Sequence, residues 1–340
     1  MIMQSRALNY LWKFALTGIA LLIFVMAIRA LIDLTRTISW ADIVTAMSQI
    51  PNTHLVLAFL VVAFGYIVLT LYDTIALMQL GRDKLIRYPK AALISFTAYA
   101  ISHTIGMNLL TAGGIRYRHY NRYGLSNNEI ANIVWLVSMA FTFGVSTLIG
   151  ISLMTHPEIT LRLLGALDQS LGIFDNALYI RGMGAVLLAA IVGAIVYAGR
   201  TGKQARIGSW RFVLPPAKVI LQQIFLAFLD LSTVALVLYL LLPTDFTVSY
   251  WVTFSALIQS LALGILSHVP GGLGVFEVTM ISALPQVDKT QMLAVLLVFR
   301  LLYYIVPFLV ALGLLLGYEG YLLTQNKHST GTQAQSRHKT

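Results

Sequence analysis

Residues 96–114 read FTAYAISHTIGMNLLTAGG, and residues 254–272 read FSALIQSLALGILSHVPGG. Both fit the pattern F-x-A-x3-S-x3-G-x6-G-G. Phe96, Ala98, Ser102, Gly106, Gly113 and Gly114 fall opposite Phe254, Ala256, Ser260, Gly264, Gly271 and Gly272. In a membrane chain, apolar segments broken by Gly, Pro and polar residues at corresponding places in two halves point to a substrate site between repeats. Chance is the competing reading, because Phe, Ala, Ser and Gly are common in such helices.

The surrounding sequence decides the solvent. The chain is 58% hydrophobic and 11% charged, with a mean hydropathy of +0.79, which excludes an ordinary soluble domain. Apolar runs occupy residues 11–32, 55–80, 130–154, 178–199, 219–242, 251–266 and 292–316. Several of them reach the roughly 18 to 20 residues that cross a hydrocarbon core. The expected fold is all-α: a polytopic helical membrane protein of about six to eight spans with re-entrant or broken segments. The run 11–32 lacks a small-residue cleavage site, so it reads as a retained helix and not a signal peptide. The chain has no cysteine, which excludes disulfides and thiolate chemistry.

The net charge of +10 is distributed by loop. Arg82, Lys84, Arg87 and Lys90 share one connection, Arg116, Arg118 and Arg122 a second, and Arg200, Lys203, Arg206, Arg211 and Lys218 a third. Residues 33–51 and 155–177 are neutral to acidic. The positive-inside rule puts the basic loops and both termini in the cytoplasm, and it makes anionic phospholipids, not nucleic acid, the expected partner. This orientation leaves the segment 91–112 with basic residues on both flanks. It therefore reads as re-entrant from the cytoplasm, with Ser102, His103, Gly106 and Asn108 at the turn. Residues 251–266 and 269–284 form either two short spans or a second hairpin. A single membrane domain over 1–325, with repeat halves near 55–154 and 217–316, leaves a polar tail at 326–340 that reads as disordered.

Two clusters carry the chemistry. After the double glycine Gly113-Gly114, the run Arg116, Arg118 and Arg122 offers planar donor forks for a lipid phosphate, although an Arg/Tyr run at a boundary is also ordinary anchoring. In the second cluster, His268, Pro270, Gly271, Gly272, Gly274 and Glu277, regular helix is ruled out within an apolar setting. His268 and Glu277 there are able to bind a headgroup, relay a proton, or pair with Arg116 or Arg300. Arg300 sits deep in the last helix beside Tyr303 and Tyr304, with a kink expected at Pro307, and needs a partner such as Asp230 or Glu277. Asp73 has two readings: pairing with Arg82, or a place on a pathway. Nucleotide, metal and hydrolase motifs are missing, so no cofactor is expected.

GGIRYR at 113–118, HVPGGLGVFE at 268–277 and RLLYYIVP at 300–307 together resemble the lysylphosphatidylglycerol synthase transmembrane family, in particular its stand-alone inner-membrane members of the YbhN type. The resemblance implies a membrane fold that moves lipids between leaflets, with Arg116, His268, Gly271, Gly272, Glu277, Arg300 and Tyr304 on matching motifs. In two-domain relatives a separate cytoplasmic domain makes the lipid. Residues 318–340 leave no room for it, so aminoacyl transfer is not expected of this chain alone. The resemblance therefore implies a flippase-like translocator of an anionic phospholipid in a bacterial inner membrane. The alternatives are a non-transporting partner of a separate lipid-modifying enzyme, or an integral membrane enzyme itself.

Overall fold

The structure is a computed structural model that describes residues 39–105, 108–167, 176–201, 204–207, 210–244 and 247–317. The expected first helix at 11–32, Gly106 and the tail at 326–340 lie outside the described residues.

The chain is a bundle of α-helices. Among the described residues, six are long and apolar enough to cross a membrane: Asn52–Gln79, Asn127–Thr155, Ala177–Ala198, Ala217–Leu241, Tyr250–Ser267 and Lys289–Gly317. They coincide with the six described apolar runs. In chain order the elements are α1 (Trp40–Ser48), α2 (Asn52–Gln79), α3 (Tyr88–Ile105), α4 (Asn108–Arg122), α5 (Asn127–Thr155), α6 (Pro157–Leu167), α7 (Ala177–Thr201), α8 (Ala217–Leu241), α9 (Tyr250–Leu266), α10 (Val275–Ala283) and α11 (Lys289–Arg300). The π-helical turn Leu301–Ile305 extends α11. Large apolar side chains stand exposed around the outside, among them Val186, Phe225, Phe64 and Leu309. That is the surface a bilayer covers.

Small residues set the spacing of the long helices. A Cβ added at Gly144 on α5 would lie 2.1 Å from the Ala227 Cβ on α8, and one at Gly184 on α7 would lie 2.8 Å from the Gly150 carbonyl oxygen on α5. Close backbone approach of this kind replaces the hydrophobic drive that helices lose in lipid.

Each half runs in the same order: a long helix, a helical pair, a long helix. The first is α2, the pair α3 and α4, and α5; the second is α8, the pair α9 and α10, and α11. The pairs are hairpins, with α3 packed on α4 and α9 packed on α10. With nine residues, α10 is only about 13 Å long and too short to span, so residues 251–266 and 269–284 are not two spans of like length.

Several expectations need correction. Gly113, Gly114 and the basic run after them do not form a loop; they lie inside α4, which begins at Asn108, while α3 ends at Ile105. Arg116 therefore belongs to a helix face and not to a loop. The segment 155–177, read as a loop, contains α6; the segment 33–51 contains α1; and the basic loop after α7 contains a two-stranded antiparallel hairpin, Gln204–Ile207 with Trp210–Val213. The expected kink at Pro307 takes the form of the π-helical turn before it. Pro307 has no N–H to return to the Tyr303 carbonyl, and that carbonyl instead accepts from the Tyr66 hydroxyl on α2 at 3.0 Å.

Candidate functional site: two hairpin tips and two buried ion pairs

The tip of the second hairpin is built by its sequence. After α9, His268 takes φ 54°, and Gly271, Gly272 and Gly274 take φ 62°, 62° and 80° around a single 3₁₀ turn, Pro270–Gly272. A left-handed backbone costs glycine nothing, whereas His268 holds it at about 1 kcal/mol or more. The His268 ring nitrogen Nδ1 lies 2.9 Å from the Leu266 carbonyl. Its side chain is exposed, and the bonds of Glu277 go instead to Gly274 and Arg300.

Glu277 closes the tip from inside. Its carboxylate accepts from the Gly274 N–H at 2.8 Å, at the N-terminal end of α10 where negative charge is favoured, and it pairs with the Arg300 guanidinium. Of the partners the sequence allowed for Arg300, Glu277 is the one used. The two Arg300 Nη atoms lie 3.4 Å from the Gly271 carbonyl oxygen, and the guanidinium sits 5.5 Å from the Tyr304 ring centroid. The Arg300 side chain remains 16% exposed, twice the 8% of Glu277. Its Nη donors are held only at the limit of hydrogen bonding, so they can serve an incoming acceptor.

The first hairpin meets this tip. A Cβ built on Gly271 would lie 3.9 Å from the Thr104 carbonyl oxygen and 4.0 Å from that of His103, both in the last turn of α3. Thr104 also donates to the Tyr304 carbonyl at 3.2 Å, tying the first tip to the π-helical turn. His103 stacks on Tyr303 with ring centroids 6.2 Å apart, and its Nδ1 is buried without a hydrogen-bond partner. Thus His103, Gly271, Gly272, Glu277, Arg300 and Tyr304 gather where the two broken segments touch. Asn108 begins α4, and its side chain lies outside the described residues.

Arg116 belongs to a second and different centre. It is 3% exposed and forks onto a fully buried Asp73, with Nε at 2.9 Å from Oδ2 and Nη2 at 2.6 Å from Oδ1. Tyr120 and Ser95 donate to the same carboxylate at 2.8 and 3.2 Å, and the guanidinium lies 4.9 Å from the Tyr99 ring centroid. Every interaction faces inward and binds α4 to α2 and α3. Arg82, the other partner considered for Asp73, pairs with Glu129. Arg118 is exposed on α4, and Asp230 lies buried on α8 outside both pairs.

Sequence reading missed Tyr66 and Thr104, which hold the freed and neighbouring carbonyls of the π-helical turn. The signal for Tyr66 was Pro307 itself, which guarantees an unclaimed carbonyl four residues earlier.

No family model matches the chain. The uncharacterised protein slr0712 of Synechocystis sp. is 32% identical over 296 residues, 87% of this chain and 88% of the relative. The inner membrane protein YbhN of Escherichia coli is 27% identical over 303 residues, 88% of this chain and 91% of the relative. A phosphatidylglycerol lysyltransferase of Staphylococcus aureus is 24% identical over 317 residues, which is 91% of this chain but 35% of that protein. With membrane-length helices, broken hairpins and relatives that match along almost its whole length, the chain belongs to the YbhN-like family of multi-pass inner membrane proteins, akin to the transmembrane part of the lysylphosphatidylglycerol synthases.

Proposed function

We propose that the protein carries the headgroup of an anionic phospholipid between leaflets along the contact of its two hairpin tips. The observation that supports this most strongly is the meeting of Gly271 with the His103 and Thr104 carbonyls beside a half-engaged Arg300. Broken backbone at membrane depth is tolerated only where it is buried in protein or lines a wet cavity, and paired half-helices are how transporters build midplane sites. A phosphate competes with Glu277 and the Gly271 carbonyl for the Arg300 fork, and Arg is suited to hold it by two bonds. The acyl chains stay in lipid; an apolar groove of about 490 Å³ between α2 and α8, with Leu57, Phe64 and Leu236 on its walls, offers one a seat. In this reading Asp73–Arg116 is a lock that holds the first hairpin in place, and the basic ends of the helices and both termini face the cytoplasm.

The test is exchange of fluorescent phosphatidylglycerol, cardiolipin and phosphatidylethanolamine between leaflets of proteoliposomes. The wild type should accelerate the anionic lipids, and Arg300→Gln should abolish the gain while the protein stays folded. A folded wild type that exchanges none of them overturns the proposal. If a lipid changes mass in the same vesicles, the reaction is enzymatic instead.

A further inference from the structure

Among the described residues three buried carboxylates lie in or beside the helical core, and two have an arginine: Asp73 has Arg116 and Glu277 has Arg300. The third has none. Asp230, near the middle of α8, is 7% exposed, and its Oδ1 is buried with no hydrogen-bond partner. No cationic side chain among the described residues acts on it. The titratable groups within its electrostatic reach are Tyr66 and Tyr72 on α2, Tyr99 on α3 and Tyr303 on the π-helical turn. From α5, α7, α9 and α11, which also pack on α8, no titratable group among the described residues does so, and the Arg300 of α11 is paired with Glu277.

An unpaired ionised carboxylate in an apolar interior is so costly that the group takes up a proton instead, and ionisable groups kept inside a membrane by default serve a pathway. Of the tyrosines within electrostatic reach of Asp230, Tyr66 donates to the Tyr303 carbonyl, and Tyr303 stacks on His103 at the first tip, whose Nδ1 is itself without a partner.

Resting on the translocation reading above, we propose that Asp230 is the protein's proton-carrying group, taking up one proton from one side of the membrane and releasing it to the other in each lipid-transfer cycle. The step makes and breaks one O–H bond on the carboxyl and needs no other reactant. It supplies a driving force to a chain whose sequence has no nucleotide-binding motif.

Two readouts test it. Infrared difference spectra of the purified protein, titrated with pH, should show the C=O stretch of a protonated carboxylic acid, and the band should vanish in Asp230→Asn. A band unchanged in that variant, or no such band at any pH, overturns the proposal without reference to transport. In proteoliposomes with the membrane potential clamped by potassium and valinomycin, an imposed pH gradient should speed wild-type exchange of phosphatidylglycerol several-fold and leave Asp230→Asn without that response. Exchange that ignores the pH gradient, that follows a sodium gradient instead, or that keeps its response in the variant overturns it. Absence of any wild-type exchange defeats translocation and the coupling with it, while the infrared band still reports whether Asp230 holds a proton.

Discussion

Arg116 and Arg300 show how the same residue type serves two ends. Both lie in the helical core against a carboxylate, but Arg116 has its fork filled and almost no access, whereas Arg300 keeps weakly held donors at a backbone break. Breaking a buried pair by removing one partner strands the other charge, at about 3–5 kcal/mol. Arg116→Ala and Asp73→Ala should therefore each lower the unfolding midpoint in detergent strongly, and the joint change Asp73→Leu with Arg116→Met should recover much of the loss. Equal loss of stability in the double variant would contradict the lock assigned to that pair. Tyr66→Phe removes one donor from the Tyr303 carbonyl and should cost about 1 kcal/mol, read as a modest fall in midpoint. That these positions carry something was legible from intramembrane charge alone. Which residue pairs with which was not, because Asp73 and Arg116 are 43 residues apart and meet only once α3 has folded back on α4.

At the scale of elements, apolar length revealed the long helices, since no other structure satisfies the backbone in lipid. Broken segments were legible as interruptions but their register was not. Gly113 and Gly114 look like a turn in sequence, yet a Cβ on Gly114 meets nothing within 4 Å and one on Gly113 only grazes Val134, so α4 runs through both. In the second hairpin the glycines do turn the chain, because Pro270 and left-handed conformations at Gly271 and Gly272 forbid continuation. The short α1 and α6 and the β-hairpin escaped notice because charge and brevity hide them from a search for apolar spans. The close approach of α5 and α8 yields a sharper prediction. Gly144→Leu inserts a side chain where a Cβ alone would lie 2.1 Å from Ala227, and overpacking of this kind costs about 1–3 kcal/mol. The variant should unfold earlier, and Gly182→Leu, whose added Cβ meets nothing within 4 Å, should not.

Across the described residues, two halves of like order bring their hairpins together, Gly271 against the His103 and Thr104 carbonyls, with Tyr303 stacked on His103 and the Tyr304 carbonyl held by Thr104. The matched segments at 96–114 and 254–272 each contain tip residues of their half, but not in register: Gly271 and Gly272 turn the chain, whereas Gly113 and Gly114 opposite them lie inside α4. What they did not reveal was that Gly271 meets the backbone carbonyls of His103 and Thr104, groups that leave no signature in a sequence. If a headgroup passes there, the tips must part. The natural absence of cysteine makes this directly measurable: cysteines placed at Thr104 and Gly271 are joined by a short cleavable thiol cross-linker, and phosphatidylglycerol exchange is followed in proteoliposomes before joining, after joining and after cleavage. Passage between the tips predicts that exchange stops in the joined protein and returns on cleavage; exchange that continues unchanged with the tips joined would contradict it.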